Sequence, residues 1–310
     1  MNQFDKNKST PLHLAVSKGH VEIAQLLLEN GAGVDIREGE IGPTALMNAA
    51  FHGEKEIFSL LIEFGADIRL KDLGKRTALH HAAVNGHDEL VQILLDKGLD
   101  VDDQDLTNSS PLHLAAVSGK TSTAKILISK GAALELQGLN NATPLLFATC
   151  YQKIGVARFL LQQGANVNAV DRNGWTVMHI ILGNCFGPNH QEEDNLGKEF
   201  VQLFIDYGAH LKIKDINGIS VLDLCKESEI GDFVFEYLSK KRVPELKSKT
   251  FTLKNCIICE NPRQDIFAFL PCGHANSCEL CCMKLVYSRK SSSKCPLCRE
   301  LVTDYKKIYI

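Results

Sequence analysis

Apolar and polar positions along residues 5–238 recur with a fixed period. Ser9-Thr10-Pro11-Leu12-His13-Leu14-Ala15 returns as Thr77-Ala78-Leu79-His80-His81-Ala82-Ala83 and as Ser110-Pro111-Leu112-His113-Leu114-Ala115-Ala116. Fainter copies begin at Thr44, Thr143, Thr176 and Ser220, so the leading hydroxyls step by 34, 33, 33, 33, 33 and 44 residues. After each short Leu/Ala run comes a turn such as Gly19-His20, Gly86-His87 or Gly119-Lys120. A second run follows, as in residues 21–28 or 89–95, with aliphatic residues at i, i+3, i+4 and i+7, the spacing of a helix with one buried face. It stops at Gly31, Gly65, Gly98, Gly131, Gly164 or Gly208, where glycine supplies the left-handed position beyond a helix end. A Thr or Ser hydroxyl caps the first helix of each unit, and Pro at the next position fits its first turn. The pattern predicts seven helix pairs.

A period near 33 residues with this motif resembles the ankyrin repeat. The resemblance implies a mostly α-helical solenoid in which alanines let paired helices approach and the Leu/Ile/Val rows form one continuous core. Met47, Leu146 and Asp223 stand where histidine is expected, which makes repeats two, five and seven weaker matches. His13, His80, His113 and His179 share one repeat position and are read as hydrogen-bonded structural residues rather than metal ligands. The extra residues of repeat six, around 183–195, contain Pro188 and Glu192-Glu193-Asp194 and are read as a loop between its two helices. Repeat seven carries Phe233, Val234, Phe235, Tyr237 and Leu238, more apolar than a terminal repeat facing water should be. Arrays of this kind bind proteins through exposed fingers and inner helices. The fingers here include Arg37–Glu40, Lys71–Arg76, Asp102–Asp105 and Asp171–Trp175, with Trp175 either a hot spot or a packing residue.

Charge divides the chain. Residues 1–239 carry a net −11 and residues 240–310 a net +8, so the repeats repel nucleic acid. No Gly-rich phosphate loop and no nucleophile paired with a base occurs in the array. The first ten residues have no apolar core for export, and no apolar run reaches the roughly 18 residues that span a bilayer. The eleven cysteines therefore suit a reducing compartment, and the expected location is the cytoplasm or nucleus. Cys150, Cys185 and Cys225 are scattered and are read as buried free thiols. A basic linker, residues 239–255, follows the repeats, with Pro244 expected to end any helix entering it.

Metal chemistry concentrates in residues 256–301, ahead of an apolar tail at 302–310. Cys256, Cys259, Cys272, His274, Cys278, Cys281, Cys295 and Cys298 form three Cys-x₂-Cys pairs and one Cys-x-His, the spacing that closed tetrahedral Zn²⁺ sites need. Cys282 is a second candidate for the place given to Cys281. The order, with histidine fourth, resembles the RING finger, a small zinc-stabilised α+β module. A PHD finger places histidine fifth, and a LIM domain spaces its ligands as two sequential fingers. The RING resemblance implies two structural Zn²⁺ ions, one held by Cys256, Cys259, Cys278 and Cys281, the other by Cys272, His274, Cys295 and Cys298. It further implies a surface for a ubiquitin-charged conjugating enzyme (E2) at Ile258, Pro296, Leu297 and Arg299. The domain order is similar to that of ankyrin–RING E3 ubiquitin ligases, in the C-terminal part of mind-bomb-type proteins and in smaller plant ligases. These imply E2, ubiquitin and a protein substrate on the array as partners, transfer without a covalent intermediate on this chain, and a homodimer through the RING and tail. A non-catalytic scaffold whose RING serves assembly is the alternative; membrane and nucleic-acid partners are not expected.

Overall fold

The computed structural model describes residues 2–6, 8–39, 42–183, 191–225 and 229–246. The chain divides into two compact units, Met1–Ile180 and Ile181–Ile310. The first holds five complete helix pairs: α1 (Pro11–Ser17) with α2 (Val21–Glu29), α3 (Ala45–His52) with α4 (Lys55–Glu63), α5 (Ala78–Asn85) with α6 (Asp88–Asp96), α7 (Pro111–Ser118) with α8 (Thr121–Ser129), and α9 (Pro144–Cys150) with α10 (Ile154–Gln162). Helix α11 (Val177–Leu182) begins the next repeat. The first helices of successive pairs pack on one another, α1 on α3, α3 on α5, α5 on α7 and α7 on α9. Small residues at their contacts permit this: Ala15, Ala49, Ala82, Ala115 and Ala148 are all buried, beside a row of buried leucines at 12, 46, 79, 112 and 145.

Every predicted N-cap is in place. Thr10, Thr44, Ser110 and Thr143 have extended backbone, and the Thr143 hydroxyl accepts from the Leu146 N–H at 3.4 Å. The glycines after the second helices close a six-residue loop. At Gly131, with φ +93°, the N–H of Gly131 donates to Ile128 O and that of Ala132 to Leu127 O, a double bond pattern that satisfies two of the carbonyls a helix end leaves open.

In the second unit, α12 (Gln191–Asp206) packs on α14 (Glu229–Leu246), with α13 (Val221–Leu224) between them in sequence. Phe200, Val201, Phe204 and Val234 are buried there, and the Tyr237 hydroxyl donates to Asp206 at 2.9 Å. A Cβ at Gly197 would stand 2.9 Å from Ile230 Cδ1, so the glycine lets the two helices close.

Three expectations are corrected. Residues 191–195 of the repeat-six insertion are helical rather than loop: they open α12, and an acidic run in the sequence is compatible with a helix start. Helix α14 continues through Pro244 to Leu246, so the proline does not end it at the linker boundary, although it still removes one intrahelical bond. Cys150 is exposed, not buried, whereas Cys225 is buried and its thiol is pushed up to about 12 by burial and then by Asp232, which leaves it inert.

Candidate functional site

The repeat histidines complete the helix caps. His13, His80, His113 and His179 are all buried, and each Nδ1 lies 2.8–3.0 Å from the hydroxyl of Thr10, Thr77, Ser110 or Thr176. The backbone N–H of the same cap residue donates to that Nδ1, at 3.2 Å for Thr77, Ser110 and Thr176. Burial lowers His80 and His113 to about 4, and lowers His13 as well, so all three are neutral near pH 7. The opposite ring nitrogen of His113 reaches Ala142 O at 3.2 Å, while Nε2 of His13 and of His80 falls short of hydrogen-bond geometry with neighbouring carbonyls. This arrangement leaves the four histidines structural.

Repeat seven solves the same problem with a carboxylate. Asp223 Oδ2 accepts from the Ser220 hydroxyl at 2.7 Å and from the Ser220 N–H at 3.1 Å, while the Asp223 N–H donates back to Ser220 Oγ. The weaker motif match there is thus a full capping box. Met47 and Leu146 fill the position with buried apolar volume instead.

The fingers are stiffened from within. Oδ1 of Asp5, Asp72, Asp105, Asp171 and Asp215 accepts the N–H four residues on, at 2.8–2.9 Å, folding each fingertip around its own carboxylate. Burial alone would raise the Asp105 carboxyl, but bonds from Thr107, Ser109 and Arg76 outweigh it and hold the group low. Further carboxylates tie each repeat to the next: Asp35 to Asp67 N–H, Asp102 to Ala133 N–H at 3.0 Å, and Glu135 to Asn166 N–H at 2.7 Å. Lys71 pairs with Asp103 at 2.6 Å and Arg76 with Asp105 at 3.0 Å. Much of the charge on the predicted fingers is therefore spent inside the array. Trp175 is half-buried and its N–H donates to Asp171. The aspartate recurring at 5, 72, 105, 171 and 215 is a sequence signal that the hydroxyl and glycine positions do not carry.

The inner-helix face of the array, by contrast, is mostly uncharged. On the inner helices, the positions four and seven residues after each cap hold Leu14 and Ser17, Asn48 and Phe51, His81 and Val84, Leu114 and Val117, Phe147 and Cys150, all exposed or half-buried except the buried Leu114. No Lys, Arg, Asp or Glu occurs at either position in these five repeats. Phe51 is exposed, and Phe147 stacks on the exposed Tyr151 with ring centroids 6.4 Å apart. At the fingertips Leu73, Leu106 and Leu139 are exposed at one repeat position. His81, on the inner-helix face, bonds Asp72 at 2.9 Å, and burial lowers its pKa.

Comparison with known proteins agrees with this architecture. Residues 1–72, 46–137, 80–171 and 112–215 match the family model described as ankyrin repeats (3 copies). The chain belongs to the ankyrin-repeat family. Residues 252–305 match a second model, the zinc finger of C3HC4 type (RING finger). The crystal structure of the human ASB11 ankyrin repeat domain superposes with a TM-score of 0.62 at 25% identity, covering 74% of this chain and 98% of that one. Mouse ankyrin repeat and SAM domain-containing protein 6 is 42% identical over 71 residues, 23% of this chain and 8% of the relative. The probable E3 ubiquitin-protein ligase XBOS33 of Oryza sativa subsp. japonica is 44% identical over 64 residues, 21% of this chain and 12% of the relative. The chain therefore aligns with only a small part of the length of these curated relatives.

The RING match makes the C-terminal part a zinc-binding module, and its donor set of seven thiols and one imidazole is one that Zn²⁺ favours. The proposed ligands Cys256, Cys259, Cys272, His274, Cys278, Cys281, Cys295 and Cys298 lie outside the described residues. So do Ile258, Pro296, Leu297, Arg299, Cys185, Cys282 and the tail at 302–310. Among the described residues no group of His, Cys, Asp and Glu could hold a metal ion.

Proposed function

We propose that this protein is a RING-type E3 ubiquitin ligase of the cytoplasm or nucleus, whose ankyrin array holds a protein substrate. The observation that carries the reading is the union, in one chain, of an ankyrin array with a segment matching the RING model. A relative named as a probable E3 ubiquitin-protein ligase supports it. In this reading the eight ligands hold two structural Zn²⁺ ions, and the metal keeps a surface in shape rather than performing chemistry. Ile258, Pro296 and Leu297 seat the E2, and Arg299 donates to both E2 and ubiquitin, fixing the thioester where a substrate lysine can attack. The substrate lies against the uncharged inner-helix face bearing Phe51, Val84, Val117 and Phe147.

The test is an autoubiquitination assay with the full chain, activating enzyme, ubiquitin and a panel of conjugating enzymes. Wild type should build chains with at least one panel member, and Ile258→Ala or Arg299→Ala should lose most of that activity. Wild-type inactivity with every panel member would point instead to a non-catalytic scaffold.

A further inference from the structure

A row of leucines stands exposed along the fingertips. Leu73, Leu106 and Leu139 occupy one position, four residues before the helix cap, in three successive repeats, and are 62%, 58% and 49% exposed. Single exposed leucines are ordinary on a protein surface, whereas apolar side chains aligned on neighbouring units form a patch that suits a partner. The fingers carrying them are tied together. The Leu106 N–H donates to Gly74 O at 2.7 Å, the Gln104 amide to Gln137 O at 3.0 Å, and the Arg172 N–H to Asn140 O at 2.7 Å. The tip residues of these fingers and the next, 73–75, 106–108, 139–141 and 172–174, include no acid. Lys75 and Arg172, both exposed, stand near the two ends of the row. The finger carboxylates Asp72, Asp105 and Asp171 fold onto their own backbone N–H groups. In an array of net negative charge, this crest is apolar in its middle and cationic at its ends.

We propose that the crest binds a proline-rich protein segment in the polyproline II conformation, with an aliphatic residue at every third position and a carboxylate at each end. The spacing selects that conformation. The first helices of successive repeats pack on one another, and packed helices lie about 8–10 Å apart, so the leucines recur at about that step. A polyproline II chain has three residues per turn and brings the same side back every turn, after about 9 Å. A β-strand returns to one face after about 7 Å and falls out of step along the row. An α-helix satisfies its own carbonyls, whereas a polyproline II backbone leaves its carbonyls open to the exposed amides of Asn108, Asn140 and Asn141. Charge complementarity fixes the ends, where Lys75 and Arg172 each attract a carboxylate. The crest is distinct from the inner-helix face, and its occupancy does not depend on ligase activity.

Fluorescence anisotropy of the full chain tests this with a fluorescein-labelled peptide of three Leu-Pro-Pro units and an aspartate at each end. A second peptide of Leu-Pro-Pro-Pro units puts the leucines at every fourth position, which breaks the match. The first should bind more tightly by about tenfold or more, the worth of one buried leucine. Leu106→Lys should weaken the first peptide by a similar factor. That side chain is exposed and its backbone bond to Gly74 stays, so the fold is kept, which circular dichroism verifies. Lys75→Glu should weaken binding more at low salt than at high salt. Ser59→Lys, which adds the same charge at an exposed site on α4, should leave binding unchanged. Equal affinity for the two peptides, or no binding of either, overturns the proposal; so does binding that survives Leu106→Lys. Ubiquitination activity does not enter any of these outcomes.

Discussion

At the scale of single residues, the cap histidines set how the array responds to acid. His80 and His113 sit at about 4 in the folded chain against 6.5 for an unperturbed side chain, because burial disfavours the charged ring. The folded state thus binds fewer protons than the unfolded state across this window. Their contribution is whole above pH 6.5 and is lost as pH falls from 6.5 through 4, by about 3 kcal/mol for each histidine. Urea unfolding of the full chain, followed by circular dichroism at pH 7 and at pH 4.5, should show that loss. In His113→Leu, which copies the residue at Leu146, the fall with pH should be shallower, although stability at pH 7 drops with the lost cap bond. An equal fall in both proteins would remove His113 from the account. Another residue-scale effect belongs to Lys75, exposed at φ +57° in a fingertip whose counterparts are Asn108, Gly174 and Gly218. Lys75→Asn suits the left-handed backbone better and should raise stability by about 0.5–1 kcal/mol, read as a higher urea midpoint with unchanged m value.

At the scale of elements, the helix pairs were legible in the sequence because each one repeats the same short-range chemistry. A hydroxyl cap, an alanine contact and a terminal glycine act over a few residues, so the string alone carries them. Long-range compensation was less legible. Asp223 looks like a lost histidine until its bonds to Ser220 are seen, and the finger aspartates become a feature only when they fold a turn. The acidic run before residue 195 looked like loop, yet a helix start tolerates it. The RING segment was legible from the spacing of its cysteines and histidine, which needs no packing, while the proposed ligands lie outside the described residues. Packing between elements gives a sharp test at Ala82, fully buried in α5, which packs on both α3 and α7. Ala82→Leu inserts three carbons into a contact with no spare volume and should cost about 1–3 kcal/mol. Thermal unfolding of the variant measures this; an unchanged midpoint would mean that the helices have room to part.

At the scale of the whole molecule, two parts draw their stability from different sources, and metal removal should separate them. The array buries leucines and alanines across repeats and needs only its neighbours. The segment matching the RING model spans 54 residues, 252–305, too few for an adequate apolar core, so Zn²⁺ binding supplies its folding free energy. A strong chelator at neutral pH should therefore abolish ubiquitin chain formation while leaving most of the helical circular dichroism signal and the array's thermal transition in place. Readdition of Zn²⁺ should restore chain formation, because the array survives as a scaffold on which the module refolds. Cys295→Ala should behave like the chelated protein and resist rescue, since the second site would then keep three of its four proposed ligands. Arg299→Ala should differ from both: zinc content stays at two ions per chain, by atomic absorption, while chain formation falls. If chelation instead melted the array together with the activity, the array would depend on metal too, and the division of stability between the two parts would fail.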